Sequence, residues 1–319
     1  MNLIETQAAI KFLKDHFEEA LAKKLNLVRV SAPLFVTKES GLNDELNGVE
    51  ETVSFEVDGK RLEIVQSLAK WKRFALAQYQ FLPGTGLYTD MNAIRKDESR
   101  DALHSLYVDQ WDWEKIVLKE ERTKVTLFKI VRSIYSVIYK LAQIAEKKWG
   151  YSYNIPSKIA FVSTKELVQK YPNLTPKERE RAICAEKRAV FLYQIGWPIG
   201  KFPPHDGRAA DYDDWKLNGD ILLYDDAIDG PIELSSMGIR VDEVSLVKQL
   251  KQKGELHKLE NPYCQKILRG ELPYTIGGGI GQSRLCMYYL QKKHIGEVQS
   301  SYWTEEERAA LKSLGLEIL

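Results

Sequence analysis

The stretch Thr275–Leu290 reads TIGGGIGQSRLCMYYL and places four glycines in five consecutive positions, 277–281. The residues ahead of the glycines predict a strand, and the residues behind them predict a helix. Glycines between a strand and a helix let the backbone approach a ligand closely, and that ligand is often a phosphate. The stretch therefore indicates a strand–helix junction that serves a nucleotide site.

Two familiar nucleotide-binding loops do not match this stretch. A dinucleotide fingerprint requires G-x-G-x-x-G early in a βαβ unit, with an acidic residue about 20 positions later. Here the spacing from Gly277 is G-G-G-x-G, and the stretch lies near the C-terminal end of the chain. A Walker loop requires G-K-S/T at the turn, whereas this turn reads GQSR and delivers Arg284 to the first turn of the helix.

The composition narrows the class of protein. The 319 residues include 46 Lys and Arg against 45 Asp and Glu, so the charge predicts neither a nucleic acid nor an acidic membrane as partner. Cys184, Cys264 and Cys286 have no C-x-x-C spacing, which favours free thiols in a reducing compartment. The sequence has no apolar run of about 18 residues and no signal peptide pattern, so we expect a cytoplasmic protein.

Hydrophobic periodicity and turn signals predict most of the helices and strands. The strongest hairpin signal is Asp58-Gly59. Hairpin-joined strands outnumber β-α-β units, so the sequence predicts an α+β fold, a mostly antiparallel sheet flanked by helices in a single domain, 1–319. The predicted helices are 4–25, 69–80, 120–148, 176–187, 242–253 and 261–269. The predicted strands, besides the glycine strand, are 27–30, 52–57, 60–67, 86–95, 103–118, 189–195, 220–224 and 231–241.

Two arginines lie at the ends of predicted strands. Arg95 ends the strand that contains YTDM, and Arg284 follows the glycine strand. A guanidinium donates paired hydrogen bonds to phosphate oxygens, so two arginines from separate strands favour a clamp on a triphosphate. A third basic segment, SLAKWKR at 67–73, follows the predicted hairpin. The alternative is that each arginine is a solvated surface charge.

Acidic residues supply candidate metal ligands. Asp220 starts one predicted strand and Glu233 lies near the start of its hairpin neighbour, so we expect the two carboxylates to face each other. Two carboxylates together with phosphate oxygens are suited to Mg²⁺. The alternative is that Asp220 caps a turn and Glu233 faces water. The other acidic candidates are Asp44, Asp109, Asp112, Asp213 and Asp214.

The segment VDQWDWE, 108–114, alternates between two faces. Gln110, Asp112 and Glu114 lie on one face, and Trp111 and Trp113 lie on the other. A polar face turned toward the protein centre is costly in a plain core, so this pattern favours the floor of a polar ligand pocket. An ordinary solvent-facing strand is the alternative. The five histidines show no H-x₃-H pairing, which disfavours a histidine-based zinc site. The sequence also contains no G-x-S-x-G motif, which disfavours a nucleophilic serine at a strand–helix turn.

Taken in order, these segments resemble the class II aminoacyl-tRNA synthetases. Residues 8–33, a helix and a strand ending before Pro33, resemble the first motif of that family, which lies at the dimer interface. LYTDMNAIRKDE, 87–98, is similar to the second motif and GGGIGQSRL, 277–285, to the third. The resemblance implies that Arg95 binds the α-phosphate of ATP, that Arg284 binds its phosphates, and that the glycines let adenine and ribose lie against the strand.

From about residue 4 to 303 the chain resembles one relative of that family more closely, the ammonia-dependent asparagine synthetases of type A, or aspartate–ammonia ligases. The resemblance implies synthesis of L-asparagine from L-aspartate, ammonia and ATP through a β-aspartyl-adenylate, with AMP and pyrophosphate released, by a Mg²⁺-dependent homodimer. The segments that carry it are GLNDELNGVE, SLAKWKR, HSLYVDQWDWE, AADYDDW, LNGDIL, ELSSMGIRVD and TIGGGIGQSRL.

The same resemblance implies roles for individual residues. Asp44 would bind the ammonium group of aspartate, Lys72 a substrate carboxylate, and Gln110 the developing oxyanion. Asp220 and Glu233 would hold Mg²⁺. The aspartate pocket would consist of Asp44, Ser67, Lys72, Gln110 and Asp112, and the ATP or AMP site of Arg95, Asp213, Glu233, Ser235 and Arg284. A single residue separates DYDDW from LNGD, where a longer loop is expected in some relatives, which leaves the lid near Asp213 undefined.

Two other functions share parts of this pattern. A tRNA ligase for aspartate or asparagine shares the adenylate step, but the balanced charge disfavours it, and the chain leaves no room for an anticodon-binding domain beside the three motifs. A catalytically silent module that senses an amino acid or nucleotide would tend to lose its phosphate arginines or its metal carboxylates. Arg95, Arg284, Asp220 and Glu233 are all present, which favours the enzyme.

Overall fold

A large β-sheet forms the centre of the computed structural model, which describes residues 1–44, 46 and 50–319. The strands of the described chain are β1 (Leu27–Arg29), β2 (Phe35–Thr37), β3 (Ser54–Val57), β4 (Lys60–Ile64), β5 (Gly86–Ile94), β6 (Tyr107–Ile116), β7 (Ala160–Ser163), β8 (Ala189–Tyr193), β9 (Asp213–Asp225), β10 (Gly230–Arg240) and β11 (Thr275–Gly281). Eight of them form the large sheet in the order β1-β5-β6-β11-β10-β9-β8-β7, and β2-β4-β3 form a small sheet.

The pairing is antiparallel except at the two edges of the large sheet, where β1 pairs with β5 and β7 with β8 in parallel. The predicted α+β fold with a mostly antiparallel sheet is therefore confirmed. The Asp58-Gly59 hairpin is also confirmed: φ is 52° at Asp58 and 71° at Gly59. Two consecutive left-handed residues match the twist of the flanking strands, and Asp-Gly tolerates that conformation well.

Helices begin and end close to the predicted positions. The helices of the described chain are α1 (Leu3–Leu25), α2 (Ala69–Gln78), α3 (Lys124–Trp149), α4 (Thr164–Lys170), α5 (Pro176–Lys187), α6 (Glu243–Lys253), α7 (Pro262–Leu268), α8 (Gln282–Tyr289) and α9 (Glu305–Ser313). The Thr175 side chain caps α5 as expected from Thr-Pro, and α3 begins after its cap Thr123, later than predicted. In the described part of the chain, no helix combines the length and apolarity needed to cross a bilayer.

One strand prediction is wrong in its bounds. The sequence predicts a strand at 220–224, but β9 starts seven residues earlier, at Asp213. The first seven residues of β9, DDWKLNG, begin with two aspartates and end in Asn-Gly, which are residues that strands disfavour. They are extended because Asp213 pairs with Arg240 and Asn218 with Gly238 of β10. The pairing partner, rather than local propensity, determines where this strand begins.

The hydrophobic core lies on one face of the large sheet. Trp111 and Trp113 of β6 are fully buried there. The amphipathic helices α1 and α3 cover this face with residues such as Phe17 and Ile138. Because strand residues alternate between faces, burying the tryptophans turns Gln110, Asp112 and Glu114 toward the opposite face of the sheet.

The glycines of β11 make room for side chains of the neighbouring strands. A Cβ atom on Gly277 would lie 1.9 Å from the Glu114 Oε2 atom, and one on Gly279 would lie 2.0 Å from the Gln110 Oε1 atom. Both contacts are far below van der Waals distance. Gly277 pairs directly with Glu114 in the β6–β11 register, so any side chain here would displace a buried carboxylate.

We expect Gly277→Ala to lower the free energy of unfolding by about 1–3 kcal/mol, the usual cost of overpacking. Gly230→Ala is the matched control in β10, since the nearest atom to its added Cβ, Arg181 Nη1, is 3.7 Å away. The control is expected to stay within about 0.5 kcal/mol of wild type. Denaturant unfolding of the three proteins tests this, and equal losses in both variants would contradict the steric explanation.

Candidate active site

A cleft of about 450 Å³ opens on the polar face of the large sheet. It brings together side chains from β6, β10, β11, α2 and α8 and from the loops between them. Every residue assigned a substrate, nucleotide or metal role lines this cleft except Asp220, which contacts the lining residue Arg208. The acidic candidate Asp214 lies outside the lining, with its Oδ2 atom 3.2 Å from Arg122 Nη2. The lining residues among the predictions are Asp44, Ser67, Lys72, Arg95, Gln110, Asp112, Asp213, Glu233, Ser235 and Arg284.

The polar face of β6 forms the floor of the cleft. Asp112 is 2% exposed and Glu114 is fully buried, so the alternative of a solvent-facing strand is wrong. Lys72 of α2 lies against this floor: its Nζ atom is 3.0 Å from Asp112 Oδ2 and donates a hydrogen bond of 2.9 Å to Gly278 O. Burial lowers the pKa of Lys72, and the adjacent Asp112 carboxylate opposes that shift. One lysine N–H remains for a ligand, since the ammonium group has three.

A buried arginine that the sequence reasoning did not single out organises the rear of the cleft. Arg240 Nε and Nη2 donate to the two oxygens of Glu114 at 2.9 and 2.7 Å, and Nη1 donates to Asp213 Oδ1 at 2.5 Å. Burial alone would raise the pKa of Glu114, but the charge and hydrogen bonds of Arg240 outweigh it and hold that pKa below its ordinary value. The alternation of side chains along a strand could have indicated Arg240 from the sequence, because it places Arg240 on the same face of β10 as Ser236 and Gly238.

Asp213 lies on β9 with its carboxylate turned to Arg240. Burial raises the pKa of Asp213, and the Arg240 guanidinium opposes the rise. The sequence left the geometry near this residue undefined. The structure places it in a strand rather than in a lid.

Asp44 lies at another wall of the cleft, beside a second buried ion pair. Lys70 Nζ is 2.5 Å from Asp211 Oδ2, and both side chains are at least nine-tenths buried. Asp44 Oδ1 accepts a hydrogen bond of 3.0 Å from the Leu46 backbone N–H, while Oδ2 has no partner among the described residues. Burial raises the pKa of Asp44, and Lys70 opposes the rise. Neither Lys70 nor Asp211 was singled out as a site residue from the sequence. The segment GLNDELNGVE, which contains Asp44, includes residues 45 and 47–49, which lie outside the described chain.

The two predicted phosphate arginines have only backbone partners. Arg95 donates at 3.4 Å to Gln66 O, and Arg284 donates to Leu103 O at 3.3 Å and to Glu233 O at 3.2 Å. Across residues 1–44, 46 and 50–319, neither forms an ion pair with a carboxylate. Both are half-buried, so they are not the freely solvated charges of the alternative interpretation. Among the described residues, the cleft therefore contains two guanidinium groups with no carboxylate at ion-pair distance.

Asp109 holds the helix that carries Arg284. Its carboxylate accepts hydrogen bonds from Ser283 N at 3.2 Å and Ser283 Oγ at 2.9 Å, at the start of α8. Gln299 Nε2 donates to it at 3.0 Å, and Lys14 of α1 lies 3.1 Å away. An acceptor at the first turn satisfies N–H groups that lack helical partners. Asp109 is thus a capping residue that links α1 to the cleft.

Asp220 and Glu233 do not form the directly opposed pair that the sequence predicts. The register of the β9–β10 hairpin places Glu233 opposite Leu222, two residues from Asp220, and a bulge between Glu233 and Ser235 makes Ser236 the partner of Asp220. The two carboxylates still interact: burial raises the pKa of Asp220 to about 7, the negative charge of Glu233 adds to the rise, and Arg208 opposes it. Asp220 is also not the first residue of its strand.

The carboxylate pair fits a hard divalent cation. Asp220 Oδ2 accepts a hydrogen bond from Arg208 Nη2, while the buried Oδ1 has no partner among the described residues. No group of three or more potential ligands that could hold a metal occurs in the described chain. A site with two carboxylates is consistent with Mg²⁺, which completes its coordination with water and substrate phosphates.

The sequence that forms this site matches a known protein family. The family profile described as aspartate-ammonia ligase matches residues 4–315. The chain belongs to the aspartate–ammonia ligase family. An aspartate–ammonia ligase of Bacillus cytotoxicus is 58% identical over 98% of this chain and 96% of its own length, and one of Clostridium perfringens is 57% identical over 96% and 92%. The family and the class of enzyme predicted from the sequence, a ligase, are thereby confirmed.

Solved structures with the same fold are class II synthetases. An asparaginyl-tRNA synthetase of Pyrococcus horikoshii, in complex with asparaginyl-adenylate, is similar with a TM-score of 0.66 at 17% identity. The match covers 92% of this ligase-family chain and 67% of the synthetase. An asparaginyl-tRNA synthetase of Entamoeba histolytica, also with asparaginyl-adenylate, gives a TM-score of 0.66 at 15% identity over 94% and 68%. At these identities the likeness establishes the fold.

The raised pKa of Asp220 predicts how the free energy of unfolding depends on pH. Between about pH 4 and 7 the folded protein retains a proton on Asp220 that the unfolded chain releases. Stability therefore falls as pH rises through this range, by up to about 1.4 kcal/mol per pH unit for this group. Asp220→Asn removes the titration.

Denaturant unfolding of the metal-free protein across this pH range provides the measurement. We expect the wild type to lose stability relative to Asp220→Asn with rising pH. A difference between the two proteins that does not change with pH would contradict the assigned pKa shift.

Proposed function

We propose that the chain catalyses ATP-dependent synthesis of L-asparagine from L-aspartate and ammonia through a β-aspartyl-adenylate, with release of AMP and pyrophosphate. The observation that carries this proposal is the pair Arg95 and Arg284, two cations that form no ion pair with a carboxylate of the described residues and that line the cleft above a floor of buried carboxylates and lysine. Membership of the aspartate–ammonia ligase family over residues 4–315 supports the identity of the substrates.

Aspartate is held at the Asp44 and Lys72 end of the cleft. The unpartnered, buried Oδ2 atom of Asp44 suits the substrate ammonium group, because a buried acceptor without a donor is otherwise costly. The remaining N–H of Lys72 suits a substrate carboxylate, and Ser67, Gln110 and Asp112 line the same space. An unchanged KM for aspartate in Asp44→Asn would overturn the assignment of Asp44.

ATP occupies the side of the cleft lined by Arg95 and Arg284. Arg95 binds the α-phosphate and Arg284 the phosphate chain, where a paired donor stabilises charge that develops at phosphorus. Ser235 Oγ is buried without a hydrogen-bond partner among the described residues. Ser235, Glu233 and Asp213 contact the AMP part of the nucleotide.

Asp220 and Glu233 hold Mg²⁺. The ion would neutralise phosphate charge and polarise the phosphorus for attack by the aspartate side-chain carboxylate. The chain itself contributes position: the cleft aligns the β-carboxylate of aspartate with the α-phosphorus and holds both through charged side chains on rigid strands.

In the second step, neutral ammonia attacks the activated carbonyl carbon, the bond from this carbon to the phosphate oxygen breaks so that AMP leaves, and one proton of the ammonia is released to give the amide. Gln110 donates a hydrogen bond to the oxygen that becomes negative during this attack. Its position on the floor of the cleft, next to the space that Gly279 leaves free, brings its amide close to the aspartate pocket. Loss of the ammonia-dependent step in Gln110→Ala, with pyrophosphate exchange retained, is the expected result.

The assembly belongs to the same proposal. We propose a single catalytic domain, located in the cytoplasm, that forms a homodimer through residues 8–33. Val28 of β1 is 59% exposed and Leu34 is 51% exposed, so the edge of the large sheet presents apolar side chains next to this segment. Lys14 links α1 to Asp109 and thereby to the helix of Arg284. A monomeric mass by sedimentation equilibrium would overturn the dimer.

The proposed reaction is tested by incubating the purified protein with ATP, Mg²⁺ and aspartate, with or without ammonium, and assaying AMP and asparagine together. We expect equimolar AMP and asparagine only with ammonium, and none with glutamine in its place. Pyrophosphate exchange without asparagine would favour another acceptor for the adenylate, with tRNA tested next. No exchange under any condition would favour a silent sensing module.

The phosphate clamp is tested by Arg95→Ala and Arg284→Ala. Each is expected to reduce aspartate-dependent pyrophosphate exchange by about 10²–10³-fold, the usual loss when one preorganised donor to a transition state is removed. Arg181→Ala is the control, since Arg181 forms a surface ion pair with Asp229 away from the cleft. If both cleft variants retain the exchange rate of the control, the clamp is wrong.

A further inference from the structure

Arg208 lines the cleft together with Arg95, Arg240 and Arg284, and the sequence reasoning did not single it out. It lies in the segment 203–212, which has neither helix nor strand and leads into β9. Its Nη2 atom donates to Asp220 Oδ2, and its Nη1 atom donates at 3.3 Å to both Asp206 Oδ2 and Gly207 O. Unlike Arg95 and Arg284, this arginine therefore holds one of the two carboxylates assigned to the metal.

The backbone around Arg208 is anchored on both sides. Toward the N-terminal side, His205 Nε2 lies 2.9 Å from Glu180 Oε1 of α5. On the C-terminal side, Trp215 Nε1 donates to Ala209 O and Gln249 Nε2 to Ala210 O, both at 3.0 Å. If Asp220 gains another partner, we therefore expect the Arg208 side chain to rotate while the backbone of segment 203–212 stays in place.

The contacts of Asp220 place Arg208 and a cation in competition. The guanidinium occupies Oδ2, and the other oxygen, Oδ1, is buried without a partner among the described residues. A buried carboxylate without a counter-ion is strongly unfavourable, so Asp220 requires a cation whether or not a metal is bound. Arg208 supplies that cation in the structure described here.

ATP brings both a metal and a new partner for the arginine. The triphosphate carries several negative charges, and Arg208 lines the same cleft as the two phosphate arginines. A guanidinium released from Asp220 thus has phosphate oxygens within the cleft to which it can donate in pairs.

We propose that Arg208 is an exchangeable counter-ion of Asp220: it pairs with this carboxylate while the cleft is empty and transfers to the phosphates of ATP when Mg²⁺ takes its place. The inference rests on the proposed function, because it requires a metal and a triphosphate in this cleft. It adds a positioning residue that couples metal binding to nucleotide binding. Arg208 and a metal ion are both positive charges at one carboxylate, so we expect the binding of one to weaken the hold of the other.

The test measures Mn²⁺ binding by electron paramagnetic resonance, without nucleotide and at mildly alkaline pH. Wild type is compared with Arg208→Gln, with Asp220→Asn, and with Arg181→Gln as the matched arginine control, whose partner Asp229 lies at the surface. We expect Arg208→Gln to bind Mn²⁺ at least about fivefold more tightly than wild type, at the low end of usual coupling between two ligands. The control is expected to match wild type, and Asp220→Asn is expected to lose the site.

A second measurement follows the other half of the exchange. Calorimetric titration with the Mg²⁺ complex of α,β-methylene-ATP, which cannot form the adenylate, is expected to show weaker nucleotide binding in Arg208→Gln. Arg208→Lys retains the charge without the fork and is expected to lie between wild type and Arg208→Gln in both titrations. It also serves if Arg208→Gln fails to fold, as judged by thermal unfolding.

Unchanged or weaker Mn²⁺ binding in the Arg208 variants would overturn the exchange and leave Arg208 as a static partner of Asp220. Mn²⁺ binding to Asp220→Asn with wild-type affinity would overturn both the metal position and the exchange. The proposed reaction itself would stand or fall separately, on the formation of asparagine and AMP by the wild-type protein.

Discussion

The buried ion cluster of Arg240, Glu114 and Asp213 is the interaction on which the rest of the site depends. It joins β6, β9 and β10 behind the glycine strand, with hydrogen bonds of 2.5 to 2.9 Å. Breaking one member of such a cluster leaves a buried charge without compensation, which is costly. The glycines of β11 are required by the same cluster, since a side chain at Gly277 would collide with Glu114.

Charge compensation divides the cleft into two regions. On the floor, Lys72 lies beside Asp112 and Arg240 beside Glu114, and at the wall near Asp44 Lys70 pairs with Asp211. Across the cleft, the partners of Arg95 and Arg284 within the described part of the chain are carbonyl oxygens. An amino acid, which carries both charges, suits the first region, and a polyanion such as ATP suits the second. The proposed adenylate would form where the two regions meet.

The fold is shared with asparaginyl-tRNA synthetases, but the fold alone does not select the acceptor of the adenylate. The assignment to the aspartate–ammonia ligase family comes from sequence identity over almost the entire chain. The proposed exchange of Arg208 at Asp220 affects the binding of metal and nucleotide. It does not affect which acceptor reacts with the adenylate. The acceptor must therefore be determined by measurement of the products.

The sequence by itself determined the types of most elements, the hairpin at Asp58-Gly59, the polar face of β6 and the choice of Arg95 and Arg284 as cleft residues. These follow from local periodicity, from turn chemistry and from long motifs whose residues are adjacent in the chain. The resemblance to the family also depended on such motifs. Each of these features can be read within a short window of residues.

Only the tertiary structure decided how the charges are paired. Arg240 meets Glu114, which is 126 residues away in the chain, and Arg208 meets Asp220 through an irregular segment. The register of the β9–β10 hairpin places Glu233 opposite Leu222 rather than Asp220, and strand pairing moved the start of β9 to Asp213. Such contacts depend on register and on packing between distant segments, for which periodicity along the chain contains no signal.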